Sequence, residues 1–171
     1  MISVLRLGHR RERDHRITTH IGLVARAFGA QKLVLSGQRD QKVLESLGKV
    51  AREWGGDFEA SYEKDWRKII REFEGQKIHL TMYGLPVQKK LVDLKKKVDK
   101  LVIVGGAKVP PEVYQLADLN VSVTNQPHSE VAALALILDR VFSGKELDKK
   151  FGGKIEIIPT ARGKKTVENV F

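Results

Sequence analysis

The chain has 171 residues, 42% of them apolar and 30% charged, which suits one α/β domain with its own core and excludes a disordered segment. It has no cysteine, so disulfides, thiolate nucleophiles and cysteine-ligated zinc are excluded, and its five histidines lack H-E-x-x-H spacing, so no metal is expected. Lys and Arg outnumber Asp and Glu 31 to 21, a net charge of +10, and a small basic protein of this kind is poised to meet a polyanion. No apolar run approaches the roughly 18 residues of a membrane span. The start, MISVLRLGHRRER, puts apolar residues before charge, the reverse of a signal peptide, and a cytoplasmic protein is expected. Few Asn and many Lys, Arg and Glu lean toward a thermophile.

Ile2 to Leu7 alternates as a strand and runs into a basic loop, Gly8 to Arg16, with Arg6 just before it. A basic loop at the carboxyl end of a strand is where an α/β protein keeps ligand contacts, and arginine suits bidentate phosphate recognition. Arg6, His9, Arg10, Arg11, Arg13 and Arg16 are therefore candidate phosphate contacts to a polyanion; the alternative is a solubilising loop paired internally through Glu12 and Asp14. The first helix is expected over Thr18 to Gly29, with Ile17, Ile21, Val24 and Phe28 along one face. Gln31 to Leu35 reads as a second strand. Asp40 caps a helix striped by Val43, Leu44, Leu47, Val50, Ala51 and Trp54. Phe58 to Tyr62 reads as a third strand, and Trp66, Ile69, Ile70 and Phe73 mark a further helix.

Lys77 to Tyr83, Leu101 to Val104 and Leu119 to Thr124 are the remaining strands of an alternating pattern, which implies a parallel sheet with helices on both faces. Three loops follow them at one edge: Gly84-Leu85-Pro86, Gly105 to Pro110, and Asn125 to Ser129. There is no G-x-G-x-x-G and no G-x-x-x-x-G-K-[ST], so the expected pocket is not a phosphate loop. The helix Ser129 to Phe142 is apolar nearly all round and must be covered on two sides, by a second subunit in a homodimer or by burial in a monomer. After Gly144, residues 145–153 read as a linker, and Lys154 to Pro159 with Lys164 to Val170 as a C-terminal β-hairpin.

The motifs VGGAKVP, SVTNQPHSEVAALALILDR and LTMYGLP together resemble the cofactor-binding half of the SPOUT methyltransferases. Within them, RLGHRRERDHRITTHIGLVARAFGA resembles the archaeal tRNA (cytidine-56)-2′-O-methyltransferase family, and the likeness spans essentially the whole chain. It implies a SPOUT-type α/β domain over residues 1–144, with a deep trefoil knot over roughly 78–142, followed by the hairpin extension. It implies S-adenosyl-L-methionine as methyl donor and tRNA, at its T-loop and elbow, as substrate. It also implies a homodimer built through the helix at 129–142. The family's cofactor positions fall on Leu85, on Gly105, Gly106, Ala107, Lys108 and Val109, and on Val123, Thr124, Asn125, Gln126, Pro127, His128, Ser129 and Glu130.

Related enzymes open their first helix with N-x-x-x-x-x-R, and here H-I-G-L-V-A-R stands in that place. The resemblance therefore puts Arg26 and His20 in catalysis, with His20 replacing the Asn. Guanidinium stays protonated, so Arg26 would act as an electrostatic clamp and His20 as a proton acceptor or merely a cap-region hydrogen-bonder. Two other readings remain open on the sequence alone. One is a non-catalytic tRNA-binding module; the other is a SPOUT enzyme acting on a different RNA nucleotide.

Overall fold

The structure, a computed structural model, describes residues 1–106 and 108–169. Six strands form its centre: β1 (Ile2–His9), β2 (Lys32–Gly37), β3 (Glu59–Tyr62), β4 (Gln76–Pro86), β5 (Lys100–Val104) and β6 (Leu119–Ser122). They make one wholly parallel sheet in the order β3-β2-β1-β5-β4-β6. Apolar side chains alternate through the central strand, so β1 feeds two cores. Ile2 and Val4 face one, Leu5 and Leu7 the other.

The first core is covered by α1 (Arg11–Ala27), α2 (Gln41–Trp54), α4 (Leu91–Leu94) and α6 (Glu130–Phe142), through residues such as Ile21, Leu47, Leu94 and Leu134. The second is covered by α3 (Trp66–Glu72) and α5 (Pro111–Leu116), through Ile70 and Val113. The helices after neighbouring strands β1 and β5 thus leave toward opposite faces. A crevice opens where they part, at the carboxyl ends of those two strands.

Two expectations need correction at the start of the chain. The first helix begins at Arg11, not Thr18, so most of the expected basic loop is the helix's first two turns. Arg and Glu are good helix formers, and the Asp14 carboxylate accepts from the Arg10 amide (3.0 Å) and Arg10 Nε (3.4 Å), closing the first turn. Strand β1 correspondingly extends to His9. Gly8, at φ +64°, makes the bend that turns His9 inward, and the register with β2 shifts there.

The end of the chain departs in the other direction. Residues 145–153 are packed down rather than free: Glu146 is buried, Gly152 bridges Gly55, and the Phe151 ring lies under Arg26. The hairpin is present as the antiparallel pair β7 (Ile155–Ile157) and β8 (Thr166–Glu168). Val170, placed by the sequence at its end, lies outside the described residues. No helix among the described residues is long and apolar enough to cross a membrane.

Candidate active site

The three loops singled out by their turn chemistry meet at the carboxyl ends of β4, β5 and β6. Asn125 Nδ2 donates to the carbonyls of Met82 (2.6 Å) and Gly84 (3.1 Å), tying the corner after β6 to the end of β4. Pairing between β4 and β6 jumps from Leu80 to Leu85, so Thr81 to Gly84 bulge out of the ladder. Together these segments bound a cavity of about 360 Å³, a size that suits a small molecule. The Gly105–Gly106 turn lines it, and a side chain on Gly105 would run into Val109.

The polar groups of this cavity have a definite hydrogen-bond sense. Asn120 Nδ2 donates to the Tyr114 carbonyl (2.9 Å), which turns Asn120 Oδ1 toward His79. His79 Nδ1 therefore carries the proton it gives to Oδ1, at 2.9 Å. Burial pulls His79 below its ordinary pKa, the Asn120 contact opposing, so the ring is neutral and Nε2 is a bare acceptor. That atom is buried and has no partner among the described residues. The Tyr114 and Thr81 hydroxyls pair at 3.1 Å beside it. A larger groove of about 1010 Å³ runs between α2 and edge strand β3, but among the described residues no buried side-chain atom lacking a partner lines it. Chemistry therefore points to the smaller cavity.

A second polar cluster lies beneath the pocket rim, in the crevice between β1 and β5. Arg6 pairs in register with Val104, faces the same side as Val4, and is 1% exposed. Its Nε reaches Thr18 Oγ1 at 3.4 Å, at the long end for a hydrogen bond. Thr18 Oγ1 lies 2.9 Å from His9 Nδ1, and His9 Nε2 lies 3.3 Å from Asp40 Oδ2. His15 Nδ1 meets the same carboxylate oxygen at 2.8 Å. Burial pulls His9 below its ordinary pKa despite Asp40 beside it. Burial alone would raise the Asp40 carboxyl, but His15, the Val43 amide and His9 hold it below the usual carboxylate range.

The residues named from the sequence fall into three groups. Gly105, Gly106, Val109, Pro127, His128 and Glu130 line the cavity, while Leu85, Lys108, Val123, Thr124, Asn125, Gln126 and Ser129 do not. Asn125 instead ties the loops together, and Ser129 caps α6 by accepting from the Val131 amide. Ala107 lies outside the described residues. Arg10, Arg11, Arg13 and Arg16 are exposed at the start of α1, as an RNA-facing patch requires. Arg6 and His9 are buried, so neither belongs to that exposed patch.

The two candidate catalytic residues are not brought to the pocket. Fifteen residues of helix, roughly 22 Å, separate Arg26 from the Arg11 end of α1, and it sits by the amino ends of the strands. There its Nε and Nη2 donate to the Gly55 carbonyl at 3.2 and 2.6 Å, and its guanidinium covers the Phe151 ring at 4.8 Å. His20 is exposed mid-helix, six residues from Arg26 on the same helix, so the two could cooperate only across two subunits. Within this chain the motif spacing is kept, but neither side chain lines the cavity, and Arg26 is held by Gly55 and Phe151. Sequence reasoning also missed His79, Thr81, Tyr83 and Tyr114, all of which line the cavity.

The parallel sheet and its covering helices have the fold of SpoU-class RNA methyltransferases. A TrmH/SpoU tRNA-modifying enzyme of A. aeolicus shares it at a TM-score of 0.61 and 16% identity, over 85% of this chain and 75% of that one. The SpoU methyltransferase AviRb of Streptomyces viridochromogenes, solved in complex with AdoMet, shares it at 0.55 and 18% identity, over 84% and 57%. Residues 54–167 match the family model described as "tRNA ribose 2'-O-methyltransferase, aTrm56", and the chain belongs to that family. A tRNA (cytidine(56)-2'-O)-methyltransferase of Pyrococcus horikoshii is 56% identical over 98% of this chain and 85% of its own length. Membership makes the chain an enzyme rather than a non-catalytic RNA-binding module.

Proposed function

We propose that this protein moves the methyl group of S-adenosyl-L-methionine to the ribose 2′-hydroxyl of cytidine 56 in the T-loop of tRNA. The observation that carries this reading is the 56% identity over nearly the whole chain to a relative named for that reaction. The pocket's chemistry supports it. The donor has an adenosine and an amino-acid end but no phosphate, and the loops here are glycine turns without a phosphate loop. His79 Nε2 is an unpartnered acceptor suited to an amino N–H, and Glu130 gives the cavity wall a carboxylate suited to a cationic ligand.

When bound, the donor supplies an electrophilic methyl group on a sulfonium. The protein's own part is to hold that group at the mouth of the cavity, exclude bulk water behind it, and bring a ribose hydroxyl into line. Arg10, Arg11, Arg13 and Arg16 serve the last task. Arg11 and Arg13 stand at the positive end of the α1 dipole, where cations are disfavoured by about 0.3–1 kcal/mol each, so their placement serves an incoming anion rather than the helix. The test is transfer from labelled S-adenosylmethionine to unmodified archaeal tRNA, with the modified nucleotide mapped by mass spectrometry. Label on the ribose of cytidine 56 is expected; label on a base or another ribose refutes the assignment.

Two further parts of this reading concern architecture. The outer face of α6 carries Ala132, Leu136 and Arg140, with Leu136 46% exposed, which supports a homodimer through that helix. The trefoil knot over roughly 78–142 goes with the fold class. Pulling the chain from both ends should then stop short of its full contour length, and reaching that length would show it unknotted.

A further inference from the structure

Arg6 is a buried cation without a carboxylate on it. Its Nη1 is shut off from solvent and has no hydrogen-bond partner among the described residues. Leaving a buried charged donor unpaired is unfavourable, so a group beyond the described residues is expected to complete it. The direction is defined. Arg6 Nη1 and Nη2 lie 3.7 Å from where a side chain on Gly106 would begin, and Glu130, at the opening of α6, is the carboxylate that acts on it most strongly, ahead of Asp14. Gly106 and Glu130 both line the cavity. The guanidinium therefore stands at the wall between the cavity and the arginine-rich start of α1, in the crevice where the helices after β1 and β5 diverge.

The chain behind Arg6 can be satisfied in one proton arrangement. Ionised Asp40 can only accept, so His9 Nε2 donates to it. Neutral His9 then accepts at Nδ1 from the Thr18 hydroxyl, which leaves the Thr18 oxygen free to accept from Arg6 Nε. Protonating His9 would make Nδ1 a donor, and the Thr18 hydroxyl would lose its acceptor. The buried cluster thus fixes one orientation of the guanidinium and aims its free edge away from Thr18.

We propose that Arg6 meets the anionic oxygens of the reacting nucleotide at the rim of the pocket, with Thr18, His9 and Asp40 as positioning residues. This rests on the function proposed above. As the O2′–methyl bond forms, the methyl–sulfur bond breaks and its electron pair returns to sulfur, which leaves as a neutral thioether. The hydroxyl proton passes to water at the pocket mouth. Arg6 stays protonated throughout and stabilises negative charge on the 2′-oxygen and the adjoining phosphate, where burial makes its field strong.

The test compares Arg6→Met and Arg6→Lys with the wild type. Because Arg6 is buried and incompletely paired, Arg6→Met should leave the melting temperature unchanged or raised. Turnover at saturating tRNA should fall about 10²–10³-fold in both variants. Calorimetric affinity for S-adenosylmethionine should stay within about threefold, for Arg6 is assigned to the nucleotide. Thr18→Val should lose turnover and Thr18→Ser restore it. Weakened S-adenosylmethionine binding, with the decarboxylated donor bound equally by wild type and variant, would hand Arg6 to the donor's carboxylate and overturn the proposal. So would unchanged turnover, or a loss that follows a lowered melting temperature. A wild type that leaves the tRNA ribose unmethylated overturns the functional reading itself, and this assignment with it, before any variant is made.

Discussion

Arg26→Ala separates a structural from a chemical role for the arginine that motif spacing favoured. The side chain is 8% exposed and does two things: it donates twice to the Gly55 carbonyl, and it stacks on Phe151. Both donors meet one oxygen, so they count as one charge-assisted interaction worth about 1.5–3 kcal/mol. The cation–π contact adds about 0.5–2 kcal/mol. The two share a side chain and are not strictly additive, so about 2–4 kcal/mol is expected, or very roughly 5–15 °C in melting temperature for a domain of this size. The last segment should loosen first, because Arg26 clamps it through Phe151. Urea unfolding gives the stability, and hydrogen exchange at residues 149–153 the local release. Initial methyl-transfer rates at a temperature where the variant is folded should stay within about threefold of wild type, because Arg26 does not line the cavity of its own chain. A variant as stable as wild type but inactive would refute this, and would mean that Arg26 reaches the reacting groups from a second subunit.

Three other outcomes follow from the same geometry. Replacing Arg11 and Arg13 by Gln should reduce the slope of log tRNA affinity against log salt by about 0.7–0.9 for each phosphate left unneutralised, measured by filter binding; an unchanged slope would take the start of α1 out of the interface. His9 is buried with its pKa lowered, so its neutral form stabilises the fold fully above the unfolded value of 6.5, and that contribution fades as pH falls below it. Stability should decline from pH 7 to pH 5 by at most about 1.4 kcal/mol per pH unit for this group, and His9→Gln should flatten that limb; equal slopes in variant and wild type would remove His9 as the cause. His79 acts in the same direction, and Glu146, whose carboxyl burial pushes up, in the opposite one just above 4.5, which is why the comparison uses the His9 variant. Leu136→Glu should shift the protein to monomer in sedimentation velocity if α6 forms the dimer, and a dimer that survives the change would place the interface elsewhere.

Much of this molecule could be read before folding, and the failures have identifiable causes. The central strands announce themselves because a parallel sheet covered on both faces needs near-continuous apolar runs, as in Leu101 to Val104. The loops at their ends were legible from Gly-Gly, Leu-Pro and Asn-Gln-Pro. The first two turns of α1 were not, because a run of charges has no apolar stripe, and the Arg10–Asp14 contacts that start the helix are polar. Arg6 did carry a signal. In the alternation of β1 it shares a face with Val4, and on a strand buried on both sides that makes it a buried charge. His79 was less legible, since its meaning depends on Asn120 and Tyr114, brought to it only when β6 and α5 fold alongside β4. Motif spacing could not say whether Arg26 reaches the pocket of its own chain, because six residues along a helix fix an angle and a rise, not which end of the sheet the side chain reaches.

The two sets of arginines are suited to different steps because they lie in different dielectrics. Arg10, Arg11, Arg13 and Arg16 are solvated, so each attracts phosphate over about a Debye length and loses much of that attraction in salt. They can gather and orient an RNA, but they discriminate little between a ground state and a transition state. Arg6 is out of reach of water and counter-ions, and its charge is felt strongly only by a group that enters the crevice beside Gly106. Charge that develops there during transfer meets a donor already held by Thr18 and needing no reorganisation. Exchanging the two environments would defeat both tasks: an exposed Arg6 would be screened, and buried α1 arginines would be too costly to keep. Placing the second kind of arginine on β1 and the first kind at the start of the helix that follows sets both at the carboxyl end of one strand.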